Sequence, residues 1–357
     1  MRKIFKIILF SLLSLFAFLF ILVRVTTYHP NDVEKMQVFC GENAPIIEKN
    51  KKLKVLSWNI QFLAGKNYIF FFDEKDNAGP HEMPLKKDIE STLKEVARVI
   101  KNENPDIILL QEVDENAKRT YYEDQLKRIL ELLPQYKCHS SALYWQASYV
   151  PHPRINGRVG MKLSVISKYK IKNAIRHQLV KMPADFVSSN FQLKRAVLQT
   201  NFEVKDSNDF IVFNTHFDAF AQGSNTMERQ VEQTKKLLMK TSKENKPWLI
   251  GGDFNLLATK SAYERLQESQ KFLYKPESEL KGFFDNFNSA PSLQEIEGKD
   301  YQKWYTHFPN DSDATKPDRT IDYIFYSKEI KSLNHHVRQH DALKISDHFP
   351  VIMEFQL

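Results

Sequence analysis

Cysteine is nearly absent from this chain of 357 residues. Only Cys40 and Cys138 occur, and they form no Cys-x-x-Cys pair. Zinc ribbons and thioredoxin-like dithiol chemistry are thereby excluded. Two unpaired thiols are the first expectation. Pairing stays open for an oxidising compartment, because spacing does not say how closely the Cα atoms approach. Internal repeats and low-complexity tracts are lacking too. Acidic residues are missing from positions 1–24, which hold four of the 51 Lys and Arg: Arg2, Lys3, Lys6 and Arg24. The formal net charge of +7 therefore falls, beyond residue 24, to 47 basic against 44 acidic side chains, or +3. That surplus is too small to indicate nucleic acid by itself. No dense Lys/Arg cluster lies near the motifs described below to form a basic groove.

What the chain does have, at its start, is a membrane signal. Ile7 to Val23 is an uncharged stretch of 17 residues preceded by Arg2, Lys3 and Lys6. This is at the short end of the ~17–25 residues that span a bilayer. A cleaved signal peptide is the rival reading, but Val25-Thr26-Thr27 is a poor Ala-x-Ala substitute, and Phe39 makes Cys40 a poor lipoprotein acceptor. An uncleaved single-pass anchor over residues 1–24 is therefore expected. The positive-inside rule puts the N-terminus in the cytoplasm and the rest of the chain outside it. Residues 25–50, with Pro30 and Pro45, read as a linker or a docked arm. Residues 51–357 suit one large domain, long enough to bury a core without disulfides.

Strand and helix patterns alternate through that domain. Ile89, Leu93, Val96 and Ile100 mark an amphipathic helix ended by Pro105. Leu126, Ile129, Leu130 and Leu133 mark a second, stopped by Pro134, and a third follows Met227. Strands are predicted over 161–167, 191–204, 210–214, 321–326 and 351–355. This is a mixed α/β domain.

Four segments place polar residues at the ends of short apolar runs. They are Ser57-Trp58-Asn59, Gln111-Glu112, Gly252-Asp253-Phe254-Asn255 and Ser346-Asp347-His348. Carboxylates, carboxamides and imidazoles at several strand ends suit a hard metal and a phosphate ester. Asn214-Thr215-His216 and Thr320-Ile321-Asp322-Tyr323-Ile324 add to the set. Together, in this order, they resemble the endonuclease/exonuclease/phosphatase superfamily of DNase I-like, metal-dependent phosphoesterases. The resemblance runs from about Leu53 to the C-terminus. It implies a four-layer α/β/β/α sandwich with the active site at one edge between two sheets; the uncharged Ile7–Val23 stretch adds one N-terminal transmembrane helix before it.

The resemblance also implies roles. Glu112 would bind the metal, Mg²⁺ or Mn²⁺ in its place, with Asn59 and Asp347 as supporting ligands. Asp322 and His348 match the family's carboxylate–imidazole pair. Either His348 or Asp253 would take the proton from water, with His348 placed first. Asn255 would orient the nucleophile or the phosphate, and His216 would act as donor to the phosphate or acid to the leaving group. Arg195 and Asn214 are grouped with substrate binding: Asn214 would brace its turn, and Arg195, read from the strand pattern Leu193–Val197, is either a phosphate contact or an exposed salt-bridge partner. His307 is placed at the site mouth, and His335, His336 and His340 on the surface.

The expected function is a membrane-tethered phosphodiesterase acting on lipid head groups or another extracytoplasmic phosphoester. Tyr68-Ile69-Phe70-Phe71-Phe72 bears on this choice. It reads first as a buried strand, and alternatively as a loop dipping into a membrane interface. A metal-dependent endo- or exonuclease is the alternative function. An inactive binding module is the third, and the completeness of the polar set argues against it. No protein partner is expected.

Overall fold

The computed structural model describes residues 2–357 apart from 75, 220 and 222. The N-terminal stretch is one helix, α1 (Arg2–Thr26), with no buried residue. Its 25 residues would reach roughly 37 Å, enough to cross a bilayer by length and composition.

The strands that follow are β1 (Val33–Met36), β2 (Val38–Cys40), β3 (Lys52–Asn59), β4 (Ile107–Asp114), β5 (Cys138–Val150), β6 (Gly157–Ser167), β7 (Ile171–Gln178), β8 (Ala196–Phe202), β9 (Phe210–His216), β10 (Trp248–Asp253), β11 (Asn288–Ala290), β12 (Asp322–Tyr326), β13 (Lys331–Val337) and β14 (Val351–Gln356). Among the described residues they form two seven-stranded sheets, ordered β1-β7-β8-β9-β10-β12-β11 and β13-β14-β3-β4-β6-β5-β2. Each sheet is antiparallel except for one parallel pair at its centre, β3–β4 in one and β9–β10 in the other. A parallel pair needs a crossover. It is supplied by helix α2 (Lys86–Glu103) in the first case and by a long helix over Thr226–Lys243 in the second. The two parallel pairs therefore end side by side, and they deliver Asn59, Glu112, His216 and Asp253.

Three apolar layers hold the sandwich. Between the sheets lie Val55, Leu109, Val165, Leu198, Val212 and Leu249. One outer layer packs Ile89, Leu93, Val96 and Ile100 of α2, and Leu126 and Ile129 of α3 (Gln125–Leu132), against β3 and β4. The other packs Val231 and Leu238 against Phe213, Trp248 and Ile250. The predicted α2 stripe is the buried one. The helix stops where Asn104 takes a left-handed conformation, φ 50°, just before Pro105. This is the four-layer DNase I-like sandwich with an apolar N-terminal helix.

Several expectations change. Cys40 and Cys138 are not free thiols: they are opposite each other in the β2–β5 register and form a disulfide. Residues 25–50 take the docked form, since β1 pairs with β7 and β2 with β5. The strand expected over 191–204 begins only at Ala196. Phe191 instead closes a short helix, α4 (Ser188–Phe191), because the Nζ of Lys194 gathers the carbonyls of Ser189, Asn190 and Gln192 into a turn. The Tyr68–Phe72 run is not a strand but a loop. Tyr68 and Phe70 pack with Phe62 and Ala64, while Phe72 is exposed.

Candidate active site

The site is assembled around one oxygen. Asp253 Oδ2 lies 3.0 Å from Asn59 Nδ2, 3.3 Å from His216 Nε2 and 3.5 Å from His348 Nε2. Its other oxygen accepts the backbone N–H of Asn255 at 2.9 Å. Asp253 is the last residue of β10, paired in register with His216 on one side and Asp322 on the other. Three strand ends thus converge by sheet pairing alone. Gly252 makes this approach feasible, because a Cβ there would lie 2.0 Å from the Thr215 carbonyl oxygen.

His348 reaches the site from the loop before β14. Its Nδ1 is 2.8 Å from Asp322 Oδ2. Its carbonyl accepts the Trp58 indole N–H at 2.9 Å, and Ser346 Oγ donates to the Asn59 carbonyl at 2.8 Å. These two bonds clamp the last motif onto the first. Burial opposes charge on His348, but Asp322 and Asp253 outweigh it and hold the imidazole well above its ordinary value. Burial, reinforced by Asp322 and partly offset by His348, pushes Asp253 up to about 7. His216 goes the other way: burial and the positive charge of Arg195 hold it well below the usual range.

Glu112 sits on a β-bulge. Between Leu110 and Val113 the β4–β6 register slips, and Glu112 takes φ +55°. A bulge redirects a side chain out of the strand's alternation. Here it brings Glu112 Oε1 to 3.1 Å from Asn59 Nδ2 and 3.9 Å from His216 Nδ1. Burial and the neighbouring Asp347 carboxylate raise the Glu112 pKa. Asp347 is held by Ser346 Oγ at 3.2 Å and Asn310 Nδ2 at 3.3 Å. Asn59 turns its amide nitrogen to both Glu112 and Asp253, and its oxygen accepts the Gln61 backbone N–H at 3.0 Å.

The remaining sequence candidates divide. Arg195 is buried at the site's flank, 3.3 Å from Asp218 Oδ1 and over the Tyr144 ring at 5.1 Å. Its Nη1 is buried and has no hydrogen-bond partner among the described residues. Asn255 has φ +51° and donates Nδ2 to the Phe217 carbonyl. His307 stacks edge-on against His348, ring centroids 4.5 Å apart, at the site as expected.

Asn214 does not belong with substrate binding. It is fully buried, its oxygen accepts Gln111 Nε2 at 2.7 Å, and its nitrogen donates to the Leu110 and Ser164 carbonyls. Every polar atom is consumed in joining the two sheets, as a brace. His335 and His336 have carboxylate partners, Glu295 at 2.7 Å and Glu103 at 3.3 Å, contributed by distant segments.

Sequence reasoning missed Tyr144 and Arg119. Tyr144 Oη lies 3.3 Å from His216 Nδ1. Arg119 forms a two-point ion pair with Asp114 and covers the Phe62 ring at 3.5 Å. Its charge also acts on Glu112. No apolar alternation marks Tyr144, because the buried side of Cys138–Tyr144 includes Ser140 and the part-exposed side includes Leu143. Nothing local marks Arg119.

The profile of the Endonuclease/Exonuclease/phosphatase family matches residues 56–348, from the β3 strand to His348. No curated protein matches the sequence at a significant level. Similar solved structures include an endonuclease/exonuclease/phosphatase from Beutenbergia cavernae DSM 12333, 19% identical with TM-score 0.56, covering 86% of this chain and 72% of that one. A family protein from Leptotrichia buccalis C-1013-b is 18% identical with TM-score 0.54, covering 85% and 100%. The human Nocturnin catalytic domain, solved with a bound sulfate anion, is 19% identical with TM-score 0.53, covering 90% and 97%. At such identities the likeness concerns the fold, and it is the profile match over most of the chain that assigns this protein to the endonuclease/exonuclease/phosphatase family, whose members hydrolyse phosphoesters.

Proposed function

We propose that this chain is a membrane-tethered, divalent-metal-dependent phosphodiesterase acting on lipid head groups or another extracytoplasmic phosphoester. The observation that carries the chemistry is the convergence of Asn59, His216 and His348 on Asp253 Oδ2. A buried carboxylate titrating near neutrality between polarising donors is suited to orienting and deprotonating water. His348 fits the base role less well, because its two carboxylate partners keep it charged, with no free lone pair to accept a proton. In its charged form it stabilises negative charge on phosphate. Asp322 fixes its orientation. His216, kept neutral, has a single N–H, which would turn from Asp253 to a non-bridging oxygen, and the Arg195 charge beside it would favour the anion.

A divalent cation fits the donor set. Burial first, and then repulsion from Asp347, raise the Glu112 pKa, a cost that a bound cation would offset. Charged His348 is unavailable as a ligand, which leaves oxygen donors suited to Mg²⁺ or Mn²⁺. Glu112 and Asp347 would hold the ion. Asn59, whose oxygen is engaged by Gln61, is better suited to orienting Glu112 and Asp253 than to ligating. Bound there, the cation would neutralise phosphoryl charge.

The lipid reading is supported by the placement of α1. Thr27, one residue past the helix, bridges to Ala147 of β5, and Tyr28 N–H donates to the Gln146 carbonyl. Ala147 is three residues along β5 from Tyr144, roughly 10 Å at strand rise. The anchor thus leaves the domain close to the catalytic groups. The disulfide supports an oxidising, extracytoplasmic setting. A nuclease is the second reading, favoured by the breadth of the family name. A hydrolysis screen decides between them. The full chain, reconstituted with Mg²⁺, is offered sphingomyelin, phosphoinositides, plasmid DNA and RNA. Lipid turnover above nucleic-acid turnover is expected. Selective cleavage of DNA or RNA overturns the lipid reading and leaves the phosphodiesterase reading standing.

A further inference from the structure

Two large apolar side chains, Phe186 and Val187, are 69% and 60% exposed at the tip of the segment before α4. The tip is built, not frayed. Asp185 accepts the backbone N–H groups of Val187 and Ser188, at 2.9 and 3.0 Å. From below, Lys194 Nζ binds three carbonyls of the same turn. A polar frame this complete, ending in an outward Phe-Val pair, fits a surface that is itself apolar.

Its neighbour is α1. The Phe186 ring stacks on Phe20, centroids 5.7 Å apart and planes within 15°. Phe20 lies one turn before Arg24, the only charged residue near that end of the helix. Four residues at helical rise put the Phe20 level roughly 6 Å inside the Arg24 level, within the ~5–10 Å depth of interfacial insertion. Arg24 bonds His29, and the charges of Arg24, Lys194 and Lys181 all bear on that imidazole. Arg24, Lys181 and Lys194 therefore lie near His29 at the end of α1, a group of charges complementary to lipid phosphates.

We propose that the Phe186–Val187 tip enters the bilayer beside α1, with Arg24 and Lys181 at the head groups. The catalytic domain is then held against the membrane at two points instead of swinging on a single tether. This rests on the membrane-anchor reading above. It also deepens it, since a domain fixed at the β5 edge keeps its catalytic groups near the head-group layer.

The test uses nitroxide accessibility in the full chain, reconstituted in nanodiscs of phosphatidylcholine and phosphatidylglycerol. Both native cysteines are in the disulfide, so a single added cysteine can be labelled selectively. Phe186→Cys is compared with Phe20→Cys and with Lys236→Cys on an exposed helical face. Val187→Cys replaces Phe186→Cys should the latter fail to fold. Labels at 20 and 186 are expected to collide with oxygen more than with a water-soluble nickel complex, and the label at 236 to do the reverse. A water-like label at 186 beside a lipid-like label at 20 overturns the second contact and leaves the anchor intact. Water-like labels at both positions overturn the anchor reading as well.

Discussion

At the level of single residues, the site is an electrostatic arrangement whose members set each other's protonation. Asp253 is pushed up to about 7, and a base acts in its deprotonated form. The rate should therefore rise with pH through about 7 and level off above it. A pH profile of kcat/KM on a soluble chromogenic phosphodiester reads this directly. Asp253→Asn should lose ~10²–10⁴ in kcat, the usual worth of general acid–base catalysis. Asp322 and His348 share one 2.8 Å contact and should behave as a unit. His348→Ala and Asp322→Asn should each lose activity, and the double variant should be little worse than His348→Ala alone. Multiplicative losses in folded variants would show that the two act independently. Most of these residues were legible in the sequence because each stands at the end of a short apolar run. Orientation was not legible. Asn214 and Asn59 are both strand-end carboxamides, but only neighbours distant in sequence decide that one is wholly consumed in bracing the sheets and that the other turns its nitrogen to the carboxylates.

At the level of elements, two features place the site. One is the close approach of β9 and β10 at Gly252, where φ is +157° and a Cβ would meet the Thr215 carbonyl oxygen at 2.0 Å. Gly252→Ala should destabilise the fold by roughly 1–3 kcal/mol and displace Asp253. Denaturant unfolding alongside kcat measures both effects. The other is the arm of residues 33–40, tied by Cys40–Cys138 across 98 residues of sequence. Replacing both cysteines by serine should cost about 2–5 kcal/mol of stability, with the same loss on reduction of the wild-type chain. Unchanged unfolding midpoints would contradict the bond. Helix α2 and strands β3, β4 and β10 were legible because their apolar periodicity is uninterrupted. The pairing of Cys40 with Cys138 was not, since it depends on β2 joining the far edge of a sheet whose other strands lie in the domain. Strand β5 escaped notice because its two faces do not differ in polarity: Ser140 lies on the buried side and Leu143 on the other.

At the scale of the whole molecule, an apolar N-terminal helix and a phosphoesterase sandwich are joined by a short arm that is itself part of both sheets. The full chain should fractionate with membranes and resist carbonate extraction. A soluble mature protein beginning near residue 28 would instead show that α1 is a cleaved signal. The sandwich was legible as a whole because six motifs fall in order at strand ends. The choice of substrate was not, because the aromatic run at 68–72 that bore on it splits between core and surface. The central claim is that Glu112 and Asp347 hold a divalent cation beside the Asp253 cluster during phosphodiester hydrolysis. The most direct test is hydrolysis of a chromogenic phosphodiester by the full chain after exhaustive chelation, with metal content verified, followed by return of Mg²⁺ or Mn²⁺. Loss of activity and its recovery with metal are expected for the wild-type chain, with Glu112→Gln folded but needing far more metal. Full activity in the verified absence of metal would contradict the claim.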